Sequence, residues 1–301
     1  MNTFPVKAIL ALVLISGVLT LVSARDNSKR LPFDRERANA EKKTAPQILY
    51  HGGPVMLGTN NVYVVYYGSF TGTATSIIDN FLENLGGSGA FNVNTTYYDA
   101  QGEHISGLLS YSPGTNSYTD GYSQGHRVRN TFPTTELQAV LKAGHLPTDA
   151  NGIYILITSP DVNVPSGFYC GYHTHSIVSG ADIKYAVIPE PSAPNYQFCS
   201  GNLETFGDTT SPNDDIGADS VTDTAMHEIS ETVTDPDLNA WFTQNGLEVG
   251  DLCNFNYGTT FIAPNGSHAN HVFGSGINSR DYLVQTIWEN SGKGFCALSY
   301  P

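Results

Sequence analysis

Positive charge is scarce in most of this 301-residue chain: beyond residue 46 only Arg127, Arg129, Lys142, Lys184, Arg280 and Lys293 remain, against twenty-four acids and a formal charge of −18. So acidic a domain repels nucleic acid and anionic membrane, and fits extracellular solubility or cation binding instead. Cysteine is scarce too. The four residues show no C-x-x-C spacing, which argues against a cysteine-held zinc. After the first two dozen residues no apolar run approaches the ~20 residues that a membrane-spanning helix needs. No linker-like composition interrupts residues 47–301, so this stretch reads as one domain with one sizeable core.

What precedes it has a different character. Lys7, the apolar run 8–15 and the small residues around Val22-Ser23-Ala24 form a basic region, a hydrophobic region and a cleavage site, so residues 1–24 read as a secretory signal peptide. Removal of this segment releases the chain from the membrane, and the protein is expected to be secreted and extracellular. Residues 25–46 are charged and poor in apolar side chains, and read as a linker or a propeptide, with Lys29-Arg30 as a processing point in the second case.

An even number of cysteines in an exported chain implies two disulfides. Three pairings exist; Cys170 with Cys199 and Cys253 with Cys296 keeps each bridge within a local block. Periodicity predicts buried strands over 62–67, 152–158 and 184–188, helices over 74–85 and 134–143 stopped by Gly86 and Gly144, and short strands over 259–263, 283–288 and 295–299. The expected fold is a single mixed α/β domain of undetermined strand order.

The chemistry concentrates between Asp219 and Cys253. Ser220 and Asp223 resemble a capping box and Pro236 a stop signal, which predicts a helix of about four turns between them. On that helix His227 and Glu231 lie roughly 40° apart on one face, while Ala225, Ile229 and Val233 form a separate stripe. The helix is therefore expected to bury one face and present imidazole and carboxylate with the other. Two ligands on one rigid helix, a third from elsewhere and an open position for water suit a catalytic zinc. Glu228, beside the first ligand, is then the candidate general base. The motif His227-Glu228-x-x-Glu231, with Glu248 seventeen residues on and Asp251 three further, resembles the zincin pattern in its gluzincin layout. That resemblance implies Glu248 as third metal ligand and Asp251 as the partner that orients the histidine.

Other readings stay open. The same residues can form a solvated polar helix face or a structural metal site. Calcium is a second possible ion: Asp235, Asp237 and Asn239 match the opening ligands of an EF-hand loop, although Ala240 and Gly246 break the pattern. His173 and His175, at i and i+2, point to one side of a strand and are candidate cleft residues or alternative ligands. Trp241 and Phe242 are either an apolar wall beside the metal or core. His268 and His271 fall in a polar loop and are expected to be exposed. Asn94-Thr-Thr96 and Asn265-Gly-Ser267 are glycosylation sequons.

Several blocks taken in order, Val62 to Phe70, Ser76 to Leu82, Cys170-Gly-Tyr-His173 and Asn278 to Leu283 leading to Cys296, resemble the EXORDIUM, or phosphate-induced protein, family. The resemblance implies a secreted, cell-wall-associated protein linked to growth or nutrient response, and supplies no reaction. Over 227–251 this chain departs from the plant pattern. Two functions are therefore expected in competition. One is a zinc-dependent, peptidase-like hydrolase acting on a peptide or cell-wall substrate; the other is a non-catalytic extracellular factor with a structural metal or acidic loop. The sequence fixes neither the substrate nor the oligomeric state.

Overall fold

A computed structural model describes residues 47–165, 169–192 and 197–301. The signal and linker readings of residues 1–46 lie outside these, as does Phe168. Among the described residues no helix is long and apolar enough to cross a membrane.

After a short strand β1 (Ile48–Tyr50), β2 (Asn60–Tyr67) enters the centre of a six-stranded sheet. Helix α1 (Gly72–Leu85), N-capped by the Thr71 hydroxyl, leads to β3 (Leu109–Ser110) and β4 (Ser117–Asp120), both parallel neighbours of β2 along the same edge. Helix α2 (Phe132–Ala143) then crosses to β5 (Gly152–Thr158), on the other side of β2. β6 (Tyr172–Val178) and β7 (Ala181–Pro189) form a hairpin whose second strand runs parallel to β5 and whose first is the antiparallel edge. The order is thus β3/β4, β2, β5, β7, β6, a mixed α/β sheet in which the parallel strands dominate.

The central strands read as continuous apolar runs because both faces are covered. Val62, Val64, Tyr66, Ile153, Ile155 and Ile157 pack with α1 and with α3 (Ile216–Thr234) on one side. Val65, Tyr67, Tyr154, Leu156 and Val187 pack with α2 on the other. Gly144 ends α2 in the left-handed conformation at φ 73°, where a Cβ is disfavoured.

Helix α3 differs from expectation at its start and in its surroundings. It begins about a turn earlier than the Ser220–Asp223 pattern suggested, because the Asp215 carboxylate accepts the Ala218 N–H and caps it; Ser220 instead donates back to the Ile216 carbonyl. It ends at Thr234, just before Pro236, as expected. Yet every residue from Gly217 to Thr234 is buried, so the polar face is enclosed as fully as the apolar one.

The chain beyond α3 is built of short paired strands. β8 (Trp241–Thr243) pairs with β1, and the hairpins β9 (Phe261–Ile262) with β10 (His268–Ala269), β11 (His271–Phe273) with β12 (Arg280–Tyr282), and β13 (Ile287–Glu289) with β14 (Phe295–Ala297) follow. The strand expected over 283–288 splits, since only Ile287 onward pairs, and β11 and β12 had no clear alternating signature. Both disulfides join the expected partners, Cys170–Cys199 and Cys253–Cys296.

Candidate metal centre

Three segments converge on the buried middle of α3. The helix supplies His227, Glu228 and Glu231; the loop after β8 supplies Glu248 and Asp251; β6 supplies His173. All but Asp251 are less than a tenth exposed, with Glu248 at 2% and Glu231 at 4%. β6 places His173 and His175 on the face toward α3, while Tyr172 packs against the opposite core.

The carboxylate of Glu231 stands at the middle of the group. Its Oε1 lies 3.0 Å from His227 Nε2, one helical turn back, and accepts the Asp251 N–H at 3.2 Å. Its Oε2 lies 3.7 Å from His173 Nε2. Asp251 Oδ1 is 3.7 Å from His227 Nε2, and the two Glu248 oxygens are 3.1 and 3.2 Å from His173 Nε2. The residues singled out from sequence are thus brought together, but in two triads: His227, Glu231 and Asp251, and His173, Glu231 and Glu248. Within each, the ligand atoms lie within 4.8 Å of one another.

Both triads can hold a metal ion. Mixed imidazole and carboxylate donors suit zinc, whereas calcium prefers six to eight oxygens. The loop once compared with an EF-hand spends its oxygens elsewhere: Asp235 Oδ1 accepts the N–H groups of Asn239 and Ala240, and Asp237 pairs with Lys184 at 3.0 Å.

A residue without any motif orients His227. Gln285 donates from Nε2 to the Gly250 carbonyl, which leaves its Oε1 as acceptor for His227 Nδ1–H at 3.1 Å and turns His227 Nε2 toward the carboxylates. That is the role the gluzincin resemblance gave to Asp251, which here sits on the ligand side and caps the loop by accepting the Glu248 N–H. Asp223, buried under Tyr257, accepts the Gln285 N–H at 2.7 Å, and burial raises its carboxyl to about 6. Sequence could have marked Gln285 only as a polar residue in a run otherwise read as strand.

Two backbones press on the helix. A Cβ at Gly250 would come within 2.8 Å of the His227 ring, and one at Gly171 within 2.6 Å of Glu228 Oε1, so both positions require glycine for close approach. Burial would lower the His227 pKa, but Glu231, Glu228 and Asp251 outweigh it and hold the imidazole well above its ordinary value. Burial raises the Glu228 carboxyl well above its ordinary range, with Glu231 and Asp251 adding to the effect and His227 opposing it. Glu228 Oε2 is buried and has no hydrogen-bond partner among the described residues.

His175 goes to a separate cluster, 2.9 Å from Asp182 and 3.9 Å from Asp237, where Lys184 already bridges the two acids. Trp241 is core: its indole N–H donates to the Tyr98 carbonyl and its ring packs edge-on to Tyr97 and Tyr98. His268 pairs with Asp208 and stacks on Phe206, and His271 reaches the Leu298 carbonyl, so neither is simply exposed. A polar surface groove of about 1140 Å³, lined by Asp79, Arg280 and Asp281 among others, includes none of the metal-centre residues.

A parallel-rich α/β sheet closed on both faces, two disulfides and a buried His/carboxylate group define a disulfide-bonded α/β protein with a candidate metal centre. The chain belongs to the phosphate-induced protein 1 family, whose conserved region matches residues 48–298. Among relatives, it is 24% identical to Protein EXORDIUM-like 3 of Arabidopsis thaliana over 96% of both chains, and 26% identical to Protein EXORDIUM-like 5 of the same plant over 90% of this chain and 83% of that one. No solved structure matches.

Proposed function

We propose that the protein is a secreted zinc-dependent hydrolase of peptidase-like type. The observation that carries this reading is the enclosure of His227, Glu228 and Glu231 with His173, Glu248 and Asp251 in one cluster, with a general-base candidate adjacent to a ligand. A zinc ion bound there supplies a Lewis acid and acidifies a coordinated water. Glu228 would stand beside that water as the candidate general base; Gln285, accepting at Nδ1–H, would present His227 through Nε2; Gly171 and Gly250 let the backbone close over the pair. Asp251, whose side chain is 20% exposed, marks the edge nearest solvent, the side for substrate approach. The acidic domain disfavours strongly acidic substrates, so a neutral or basic peptide is the preferred class.

The test is incubation of zinc-loaded protein with a diverse peptide library, with and without chelator, read by mass spectrometry. Chelator-sensitive cuts that vanish in a Glu228→Gln variant still holding zinc are the expected result. An intact library overturns the enzyme. The second reading is a non-catalytic extracellular, cell-wall-associated factor whose metal is structural, and the near-complete burial of His173, Glu231 and Glu248 favours it. In that case Glu228→Gln leaves every function of the folded protein unchanged.

A further inference from the structure

Glu231 offers its two oxygens in two directions. Oε1 meets His227 Nε2 at 3.0 Å, and Oε2 faces His173 Nε2 at 3.7 Å. Each imidazole is then met by a second acid, His227 by Asp251 at 3.7 Å and His173 by Glu248 at 3.1 Å. We propose that the centre is dinuclear: the Glu231 carboxylate bridges two zinc ions, one held by His227 and Asp251, the other by His173 and Glu248.

This rests on the metal reading above and deepens it. With zinc–ligand bonds of about 2.0–2.2 Å, neighbouring ligand atoms of one tetrahedral ion stand roughly 3.3–3.6 Å apart. The distances within each triad, 3.0 and 3.7 Å in one and 3.1 and 3.7 Å in the other, match that spacing with little rearrangement. The two sets meet only at Glu231. A carboxylate donating one oxygen to each ion is the usual bridge in two-metal sites, whose ions lie about 3.5–4 Å apart. Glu248, with both oxygens near His173 Nε2, can chelate its ion through the pair. The carboxylates of Glu231, Glu248 and Asp251, the first two buried, also carry more negative charge than one divalent ion neutralises. An independent feature points to a metal here: Glu228, next to His227 in sequence and 4% exposed, has a buried Oε2 without a hydrogen-bond partner among the described residues.

Zinc titration of the metal-free, full secreted chain, followed by calorimetry and elemental analysis, tests the proposal. Two zinc ions per chain are expected, with one retained in Asp251→Ala, one in Glu248→Ala and none in Glu231→Ala. The wild type loaded with cobalt(II) is expected to give a magnetically coupled signal, a readout that needs no variant to fold. One ion per chain, lost equally in His173→Ala and His227→Ala and magnetically isolated as cobalt, overturns the dinuclear centre while leaving a single-metal protein. No zinc at all in folded wild type overturns both readings.

Discussion

His173 and His175 stand two residues apart on one face of β6, and both look onto pairs of acids, yet their surroundings differ in kind. Around His175 the chain provides its own cation: Lys184 Nζ lies 2.7 Å from Asp182 and 3.0 Å from Asp237. Burial would raise the Asp182 pKa, but Lys184 and His175 hold it below the ordinary carboxylate range. Around His173 the groups facing Glu231 and Glu248 are imidazoles, which can serve as metal ligands together with those carboxylates. A third solution is found far from both, on α2. Burial pushes the Glu136 carboxyl up to about 7, aided by neighbouring Asp120 and opposed by the hydrogen bond from Gln124, so it holds a proton below neutral pH. The fold thus sets three neutralisers beside its buried acids: imidazoles that could share an external ion, a lysine, and a proton. Only the first makes the site a candidate for chemistry.

The largest effect that separates these regions is expected from Glu231→Ala. With zinc at a thousand times its dissociation constant, bound metal stabilises a fold by about 4 kcal/mol. A chelator should therefore lower the melting temperature of the wild type sharply and leave that of Glu231→Ala unchanged, as differential scanning calorimetry can read. His175→Ala should retain the full chelator response.

Breaking the second disulfide comes next. Cys253 and Cys296 are 43 residues apart, and closing such a loop contributes roughly 2–4 kcal/mol. Replacing both with serine should lower stability by that amount in denaturant titration. It should also weaken zinc binding, because Cys253 lies two residues beyond Asp251. If zinc affinity were unchanged, the bridge would be a fold staple with no part in the centre.

Lys184→Met should cost about 1–2 kcal/mol, since it leaves two half-buried carboxylates without their ammonium group. Its zinc stoichiometry should equal that of the wild type. A gain of one tightly bound zinc would show that His175, Asp182 and Asp237 also form a metal site once the lysine is gone, and would erase the contrast.

The smallest effect is a slope. A carboxyl whose folded pKa is raised binds a proton that the unfolded chain has released, so its contribution to stability falls as pH rises from about 4.5 to about 7 and is flat outside that window. Glu136→Gln should flatten the decline by about 1 kcal/mol across this range, measured as the change in unfolding free energy between pH 5 and pH 7.5.

Much of this contrast was legible before the fold was known. The β5 span, the helix stops at Gly86 and Gly144, the disulfide partners and the shared face of His227 with Glu231 follow from local rules of period, capping and spacing. The failures are non-local. Whether the polar face of α3 meets water or protein depends on β6, on the loop carrying Glu248 and Asp251 and on the Gln285 segment, which the helix's own pattern does not reveal. Asp215 rather than Ser220 caps that helix because an extra turn can be buried there. Gln285 has no spacing relation to His227, so its hydrogen bond to Nδ1 belongs to tertiary packing alone. The i, i+2 pattern at His173 and His175 announced two inward imidazoles, but only the position of Lys184 on the adjacent strand sorts one from the other.

The burial of Asn94 has a consequence for how the chain is made. Its side-chain amide is fully enclosed, donating to the Phe91 carbonyl and to the hydroxyl of Ser230 on α3. A sugar attached to that nitrogen would occupy the space where the turn docks against α3. In a secretory pathway that modifies such sequons on the unfolded, emerging chain, every molecule glycosylated at Asn94 is barred from this fold. Maturation then becomes a race between docking of the turn and glycan transfer. Asn265, exposed beside Asp214, is the other sequon, and its amide hydrogen bonds to Ser211 and Asp214 set a smaller obstacle.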